Sequence, residues 1–225
     1  MVNMHRHQLL TLLRDYQTRF IDEAAMLAKT RRFVLEHERC FDRNLREGHI
    51  SGSAWIINPA GSHVFLLRHR KLRLWLQPGG HADNNHDIIE VAMNETAEES
   101  GSNRNAIHLL SERIFDLDVH VVHETPHEPR HWHYDIRFLA ELDDRLHLPG
   151  NDESHAVAWV PLHQVLQLNN MRSMYRMVQK TRAWQREVRR NSVIHERVAR
   201  KEIPVRFRKP VRECPVHLRE STSHL

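Results

Sequence analysis

Residues 76–101, LQPGGHADNNHDIIEVAMNETAEESG, constrain the fold more than any other part of the chain. The stretch opens on a Pro-Gly-Gly turn and closes on helical sequence carrying Glu95, Glu98 and Glu99. On a helix these positions, three and four residues apart, share an arc of about 100°. Ile89, Ala92, Met93 and Ala97 fill an adjoining arc that can pack on a sheet. Two unit charges about 4 Å apart repel by roughly 4 kcal/mol at an effective dielectric of about 20. Three clustered carboxylates therefore need solvent or a cation, and hard oxygen ligands suit Mg²⁺ or Mn²⁺. The acids alone also fit a solvated helix face. The preceding Pro78-Gly79-Gly80 loop shifts the balance, because glycine lets backbone come close to a ligand. Strand, glycine loop and acid-lined helix together make a bed for a metal-bound diphosphate.

The rest of the chain supplies a sheet for that helix. Residues 7–38 carry two apolar stripes at helical spacing and read as two short helices broken near residues 20–22. From Gly48 the pattern changes to β-type runs around the turn Asn58-Pro59-Ala60-Gly61. LWLQPGG reads as a short strand, and residues 87–100 as a helix with Gly101 as its C-cap. Residues 107–124 and HWHYDIRFLAEL read as two strands around a Pro-containing connection. HAVAWVPL is a further strand, and a long helix runs over about residues 171–200. This order predicts a mixed sheet covered on both faces. Three regions are expected: an N-terminal helical extension (1–47), a central domain (48–180), and a basic C-terminal helix and tail (181–225).

Composition narrows the function classes. No apolar run of the 225 residues is long enough to span a bilayer. The N-terminal residues lack the apolar core of a signal peptide. Cys40 and Cys214 share no motif, which points to a reducing, cytoplasmic compartment. From Lys180 onward there are 13 Lys and Arg against 5 Asp and Glu, leaving 20 against 24 in the rest. The tail is therefore strongly basic and the body mildly acidic. A solvated helix and strap explains such a tail most simply, since aromatic interleaving is sparse. A surface for nucleic acid or an acidic partner is the sharper reading.

In order and spacing, residues 80–102 resemble the Nudix box, Gly-x5-Glu-x7-Arg-Glu-U-x-Glu-Glu-x-Gly-U, with U a bulky apolar residue. Gly80, Glu95, Glu98, Glu99 and Gly101 match; His86, Asn94, Thr96 and Ser102 depart from it. LQPGGHAD, FDLDVH, HYDIRF and ESHAVAWVPL are similar to one branch of that family, over roughly residues 50–168. The resemblance implies an α/β fold, an α/β/α sandwich with a mixed sheet. It implies hydrolysis of a diphosphate linkage in a nucleoside diphosphate derivative, with Mg²⁺ or Mn²⁺ lowering the pKa of the attacking water. Carried over residue by residue, Glu95, Glu98, Glu99 and the Gly79 carbonyl are metal ligands. Glu95 is the foremost candidate to deprotonate the water, and Glu153 is a second candidate base. Nudix-fold isomerases need a catalytic cysteine, and neither cysteine lies in the resembling region. Many Nudix proteins are dimers, so a homodimer is carried as an expectation.

The chain has 20 histidines. His131, His133, Asp135 and Arg137 share one face of a strand, and Trp132, Tyr134, Ile136 and Phe138 the other. Asp116, Asp118 and His120 alternate likewise on the neighbouring run. If the two strands pair, His120 and His133 converge near His81. Because they also fall in the family-like motifs, the resemblance makes Gly79, Gly80, His81, His120, His133 and Asp135 the expected substrate-binding residues, for a small-molecule diphosphate. His123, His127 and His131 are expected to face solvent, and His131-x-His133 by itself is a weak metal signal. Trp55, Trp75, Trp132 and Trp159 are candidates for base stacking, each more readily explained as core. The alternative to an enzyme is a Nudix-fold binding or sensor protein that has lost turnover, which Asn94 and His86 favour.

Overall fold

A computed structural model describes residues 4–124, 129–152 and 154–201. Residues 1–185 form one compact unit and 186–225 a second. The basic tail beyond residue 201 lies outside the described residues, and with it the partner surface expected there. No helix among them is long and apolar enough to cross a membrane.

Eight strands form one mixed sheet: β1 (Gly48–Ile57), β2 (His63–His69), β3 (Trp75–Leu76), β4 (Gly79–His81), β5 (His108–Leu109), β6 (Asp116–Val122), β7 (His131–Glu141) and β8 (Ser154–Pro161). The main path is β3-β2-β1-β7-β5, with β4 joined to β1, β6 to β7 and β8 to β2. β1 and β7 run parallel, with His49 opposite His133 and Ser51 opposite Asp135. β6 is antiparallel to β7, with His120 opposite His133 and Asp118 opposite Asp135. β1 is buried along its whole length, as a central strand covered on both faces should be.

Among the described residues, five α-helices complete the fold: α1 (Met4–Asp15), α2 (Ile21–Glu36), α3 (Ile88–Ser100), α4 (Val165–Leu168) and α5 (Arg172–Lys201). The period-2 alternation of the strands builds two apolar layers. On one side Ile50, Ala54, Ile56, Tyr134, Ile136 and Phe138 pack with Ile88, Ala92 and Met93 of α3. On the other, Trp55, Ile57, Leu66 and Leu139 pack with Met174, Met177 and Val178 of α5. The sandwich is therefore α/β/α, as the sequence predicts.

The N-terminal helices share the first of these cores. Leu9, Leu13, Phe33 and Val34 lie in it, and Phe33 stacks on Tyr134 with ring centroids 4.0 Å apart. Arg6 donates to the Val34 carbonyl at 2.7 Å and so satisfies one orphan acceptor at the end of α2. The break between helices falls at residues 16–20, slightly before its expected place. There Tyr16 and Thr18 both donate to Glu23, which also accepts the Leu117 N–H of β6 at 2.9 Å. Glu23 thereby caps the open edge of β6, a use of a buried acid that periodicity does not reveal.

One strand expectation is corrected. Residues 107–124 form two strands, not one, separated by residues 110–115. Ser111 Oγ accepts the Arg113 N–H at 3.1 Å, a local turn that competes with the ladder. Leu110 and Phe115 still donate to the β7 carbonyls of Leu139 and Arg137, so the chain stays beside the sheet.

Between β6, β7 and α5 lies a buried charge network. Arg137 Nε donates to Asp135 at 2.7 Å and its Nη1 to Asp116 at 3.2 Å. Arg176, almost fully buried, donates to Asp116, Asp118, the Leu117 carbonyl and Asp22. Lys180 donates to Asp116 at 2.6 Å and to Glu23 at 2.5 Å. Burial pulls the Asp118 carboxyl up, but Arg137 and the His120 hydrogen bond outweigh it and hold Asp118 well below the usual range.

Candidate active site

α3 is placed by its ends. Asp87 accepts the Ile89 and Glu90 N–H groups at 3.1 Å as N-cap, and Gly101 stops the helix in the left-handed conformation at φ 71°. That register turns Glu95 and Glu99 toward β4, while Glu98 stands exposed. Glu99, 5% exposed, accepts the Gly79 N–H through Oε2 at 2.7 Å. A Cβ on Gly80 would lie 2.4 Å from Glu95 Oε2, so the glycine loop sits directly against the Glu95 carboxylate. Pro78 gives its carbonyl to Ala54 of β1 at 3.0 Å, and the antiparallel alternation turns the N–H and C=O of Gly79 away from β1. Glu95 and Glu99 therefore flank the Gly79-Gly80 loop on the side to which the Gly79 carbonyl turns. An all-oxygen, multiply anionic donor set of this kind fits a hard divalent cation.

Beside it stands a group of imidazoles. His81 Nε2 is 3.3 Å from His133 Nε2, and the His120 and His133 ring centroids are 5.4 Å apart. The expected convergence of His81, His120 and His133 is present. Arg43 reaches His81 Nδ1 from the loop before β1, so His81 is held between Arg43 and His133. His120 is tied to Asp118 at 3.2 Å.

The NUDIX domain family model matches residues 49–181. The chain belongs to the Nudix family. Solved structures sharing the fold include a C. elegans Ap4A hydrolase binary complex, 19% identical, with a TM-score of 0.50 over 61% of this chain and 98% of that one. The E. coli dihydroneopterin triphosphate pyrophosphohydrolase is 15% identical, with a TM-score of 0.47 over 58% and 92%. At 19% identity the likeness to the first shows the fold alone. No curated protein matches the chain in sequence. With the family comes the enzyme class, pyrophosphohydrolase.

The departures from the Nudix box have local explanations. Thr96 and Ser102, in place of bulky apolar residues, are polar but satisfied: Thr96 Oγ1 donates to the Ala92 carbonyl at 2.7 Å, and Ser102 is bonded to Ser100. His86, in place of a Glu, packs edge-on against Phe41. Of the acids near it, Asp87 is the helix cap and Asp83 pairs with Arg43 at 3.0 Å. Asn94 is exposed on α3.

Of the remaining candidates in this Nudix protein, Asp135 is 4% exposed, and both its oxygens accept from protein donors: Ser51, Ser53, Arg137 and Gln77. It ties β1 and β7 to the loop before Gly79. His123 is exposed, as expected. His131 is not: it is 5% exposed, with Nδ1 bonded to the Pro129 carbonyl at 2.8 Å. It lies inward because it shares the face of His133, two residues on. His127 and Glu153 lie outside the described residues. Trp55 is core and donates to Thr181 at 2.9 Å; Trp159 packs edge-on to Phe65.

Sequence reasoning missed His49. It is fully buried, stacked on His131 at 4.8 Å, edge-on to His81 at 4.8 Å and tilted against His133 at 4.6 Å between ring centroids. The available signal was the small, all-buried strand GHISGSA, which no local pattern pairs with His133 across the parallel ladder.

Burial, reinforced by His81 and His131, holds His49 down at about 3; burial, reinforced by His49 and His120, holds His133 down at about 2. Both rings are therefore neutral in the folded protein at neutral pH. Because the folded values lie below the unfolded value of about 6.5, the unfolded chain takes up protons first as pH falls. The stabilisation is complete above about pH 6.5 and is lost below it, by about 2 kcal/mol per ring at pH 5. Denaturant unfolding of chelator-treated protein at about pH 7.5 and about pH 5 should reveal the loss. His49→Gln should lose about half as much, and an undiminished loss in that variant would contradict the assignment.

Proposed function

We propose that this protein hydrolyses the diphosphate linkage of a nucleoside diphosphate derivative or a related small molecule, with Mg²⁺ or Mn²⁺ as cofactor. The observation that carries the reading is the docking of the Gly79-Gly80 loop onto Glu95 and Glu99. Glu95, Glu98, Glu99 and the Gly79 carbonyl would hold the cation. When bound, the cation withdraws charge from phosphate oxygens and lowers the pKa of the attacking water. Glu95, half-buried against Gly80, is positioned to accept the proton of that water. Glu99 fixes the loop through the Gly79 N–H. His81, His133 and His120 stand beside the loop, where ring N–H groups would donate to phosphate or leaving group. Asp135 acts through Ser53 and Gln77 as a positioning residue.

Product release should be followed on nucleotide sugars, ADP-ribose, dinucleoside polyphosphates and nucleoside triphosphates, with Mg²⁺ and with Mn²⁺. Hydrolysis in ¹⁸O-water should place the label in a phosphate product. Glu98→Gln, at an exposed position, should leave the unfolding midpoint unchanged and reduce kcat by roughly 10²–10³, the size of one lost electrostatic contact to the transition state. A Glu98→Gln enzyme as active as wild type would sink the carboxylate assignment. Metal binding without turnover on any of these substrates would favour the binding-protein alternative, toward which Asn94 in place of arginine points.

A further inference from the structure

The imidazole group holds a feature that hydrolysis at the carboxylates does not account for, since it draws in His49 and His131 beside His133. His49 and His133 are direct neighbours across the parallel β1–β7 ladder, and His131 lies on the same face of β7. Each offers one ligand atom, all within 4.8 Å of one another. His49 is 0% exposed, and neither of its ring nitrogens has a hydrogen-bond partner. A buried polar ring left so costs folding free energy and calls for a ligand.

We propose that His49, His131 and His133 bind a first-row divalent transition metal, for which Zn²⁺ is the natural probe, at a site separate from the α3 carboxylates. Zinc with Zn–N distances of about 2.0–2.1 Å needs nitrogens roughly 3.4 Å apart. The side chains must close by on the order of 1 Å, within reach of χ rotations on a fixed backbone. His131 is already set up as such ligands are. Its Nδ1–H is spent on the Pro129 carbonyl at 2.8 Å, which fixes the ring and leaves the lone pair on Nε2. A nitrogen-only donor set selects against Mg²⁺ and Ca²⁺, so the two sites call for different ions. Three protein ligands leave a fourth position open, the pattern of a reactive rather than a purely structural zinc site. His131 also lines a crevice of about 180 Å³ with Arg46, Glu47, Val121, Arg130 and Trp132.

The inference does not depend on the carboxylate reading, and its test separates the two. Tag-free, full-length, chelator-stripped protein should be titrated with Zn²⁺ against a chromogenic chelator, with thermal unfolding measured in parallel. Wild type should bind one equivalent with a Kd below about 1 μM and unfold at higher temperature when loaded. His49→Gln and His131→Gln should each weaken binding by at least about 100-fold. His7→Gln, at an exposed position on α1, should change nothing, and Glu98→Gln should keep the Zn²⁺ equivalent. Equal affinity in the His49 and His131 variants, loss of the equivalent in Glu98→Gln, or no binding by wild type would overturn the proposal. If the histidine variants fail to fold, X-ray absorption of Zn²⁺-loaded wild type decides. Three imidazole nitrogens near about 2.0 Å support the site, and a shell of carboxylate and water oxygens refutes it.

Discussion

Arg176→Met should be the most damaging single substitution in this protein, lowering stability by about 3–5 kcal/mol. The guanidinium is 1% exposed and is shared among Asp116, Asp118, Asp22 and the Leu117 carbonyl. Methionine fills much of the volume but takes away the buried cation shared by all three carboxylates, leaving Arg137 and Lys180 at Asp116 and the exposed Arg172 at Asp22. An uncompensated buried charge is the costly part of breaking such a pair. Against a typical total of about 5–15 kcal/mol, the loss is a large share of the whole. Arg172 also pairs with Asp22, but its side chain is 83% exposed, so Arg172→Ala should cost under about 1 kcal/mol. Urea unfolding of both variants checks the contrast, and similar small losses in the two would show the network to be energetically slack.

Gly80→Ala should abolish most turnover while leaving the fold largely intact. The new Cβ would lie 2.4 Å from Glu95 Oε2 and 2.4 Å from its Cδ. The obstacle is the end of a flexible side chain, so Glu95 swings away and the chain folds around it. A displacement of about 1 Å at a reacting group costs on the order of 10²-fold in rate. Gly79→Ala should cost stability as well, because its Cβ would meet the Ser53 backbone at 2.6 Å, and backbone cannot swing. Rates with Mn²⁺ and unfolding midpoints for both variants test this. An active Gly80→Ala enzyme would mean that Glu95 is not held where the reaction needs it.

Local chemistry was legible in the sequence, and long-range partnership was not. The extent of α3, its Asp87 and Gly101 ends and its carboxylate arc follow from patterns within about one helix length. The meeting of His81, His120 and His133 was readable because strand alternation fixes faces once β6 and β7 pair. His131 was placed in solvent although the same alternation puts it beside His133; the count of nearby histidines hid the geometry. His49 and Glu23 were invisible for a different reason. Each acquires its meaning from a strand far along the chain, with Glu23 and Leu117 separated by 94 positions. The long helix α5 was readable, but not that Arg176 and Lys180 would point inward at Asp116, because charged residues on a helix ordinarily face water.

The parallel pairing of β1 with β7 also bears on how the chain reaches its native state. Ser53 and Asp135, bonded across that pairing, are 82 positions apart. Closing so long a loop costs entropy before the contact returns anything, and folding rates fall as such separations come to dominate. The imidazole group and the Asp135 brace exist only once β1 and β7 have met, whereas α3 and its carboxylates can form early. Refolding should therefore recover helical circular dichroism ahead of any signal from the histidine side of the sheet.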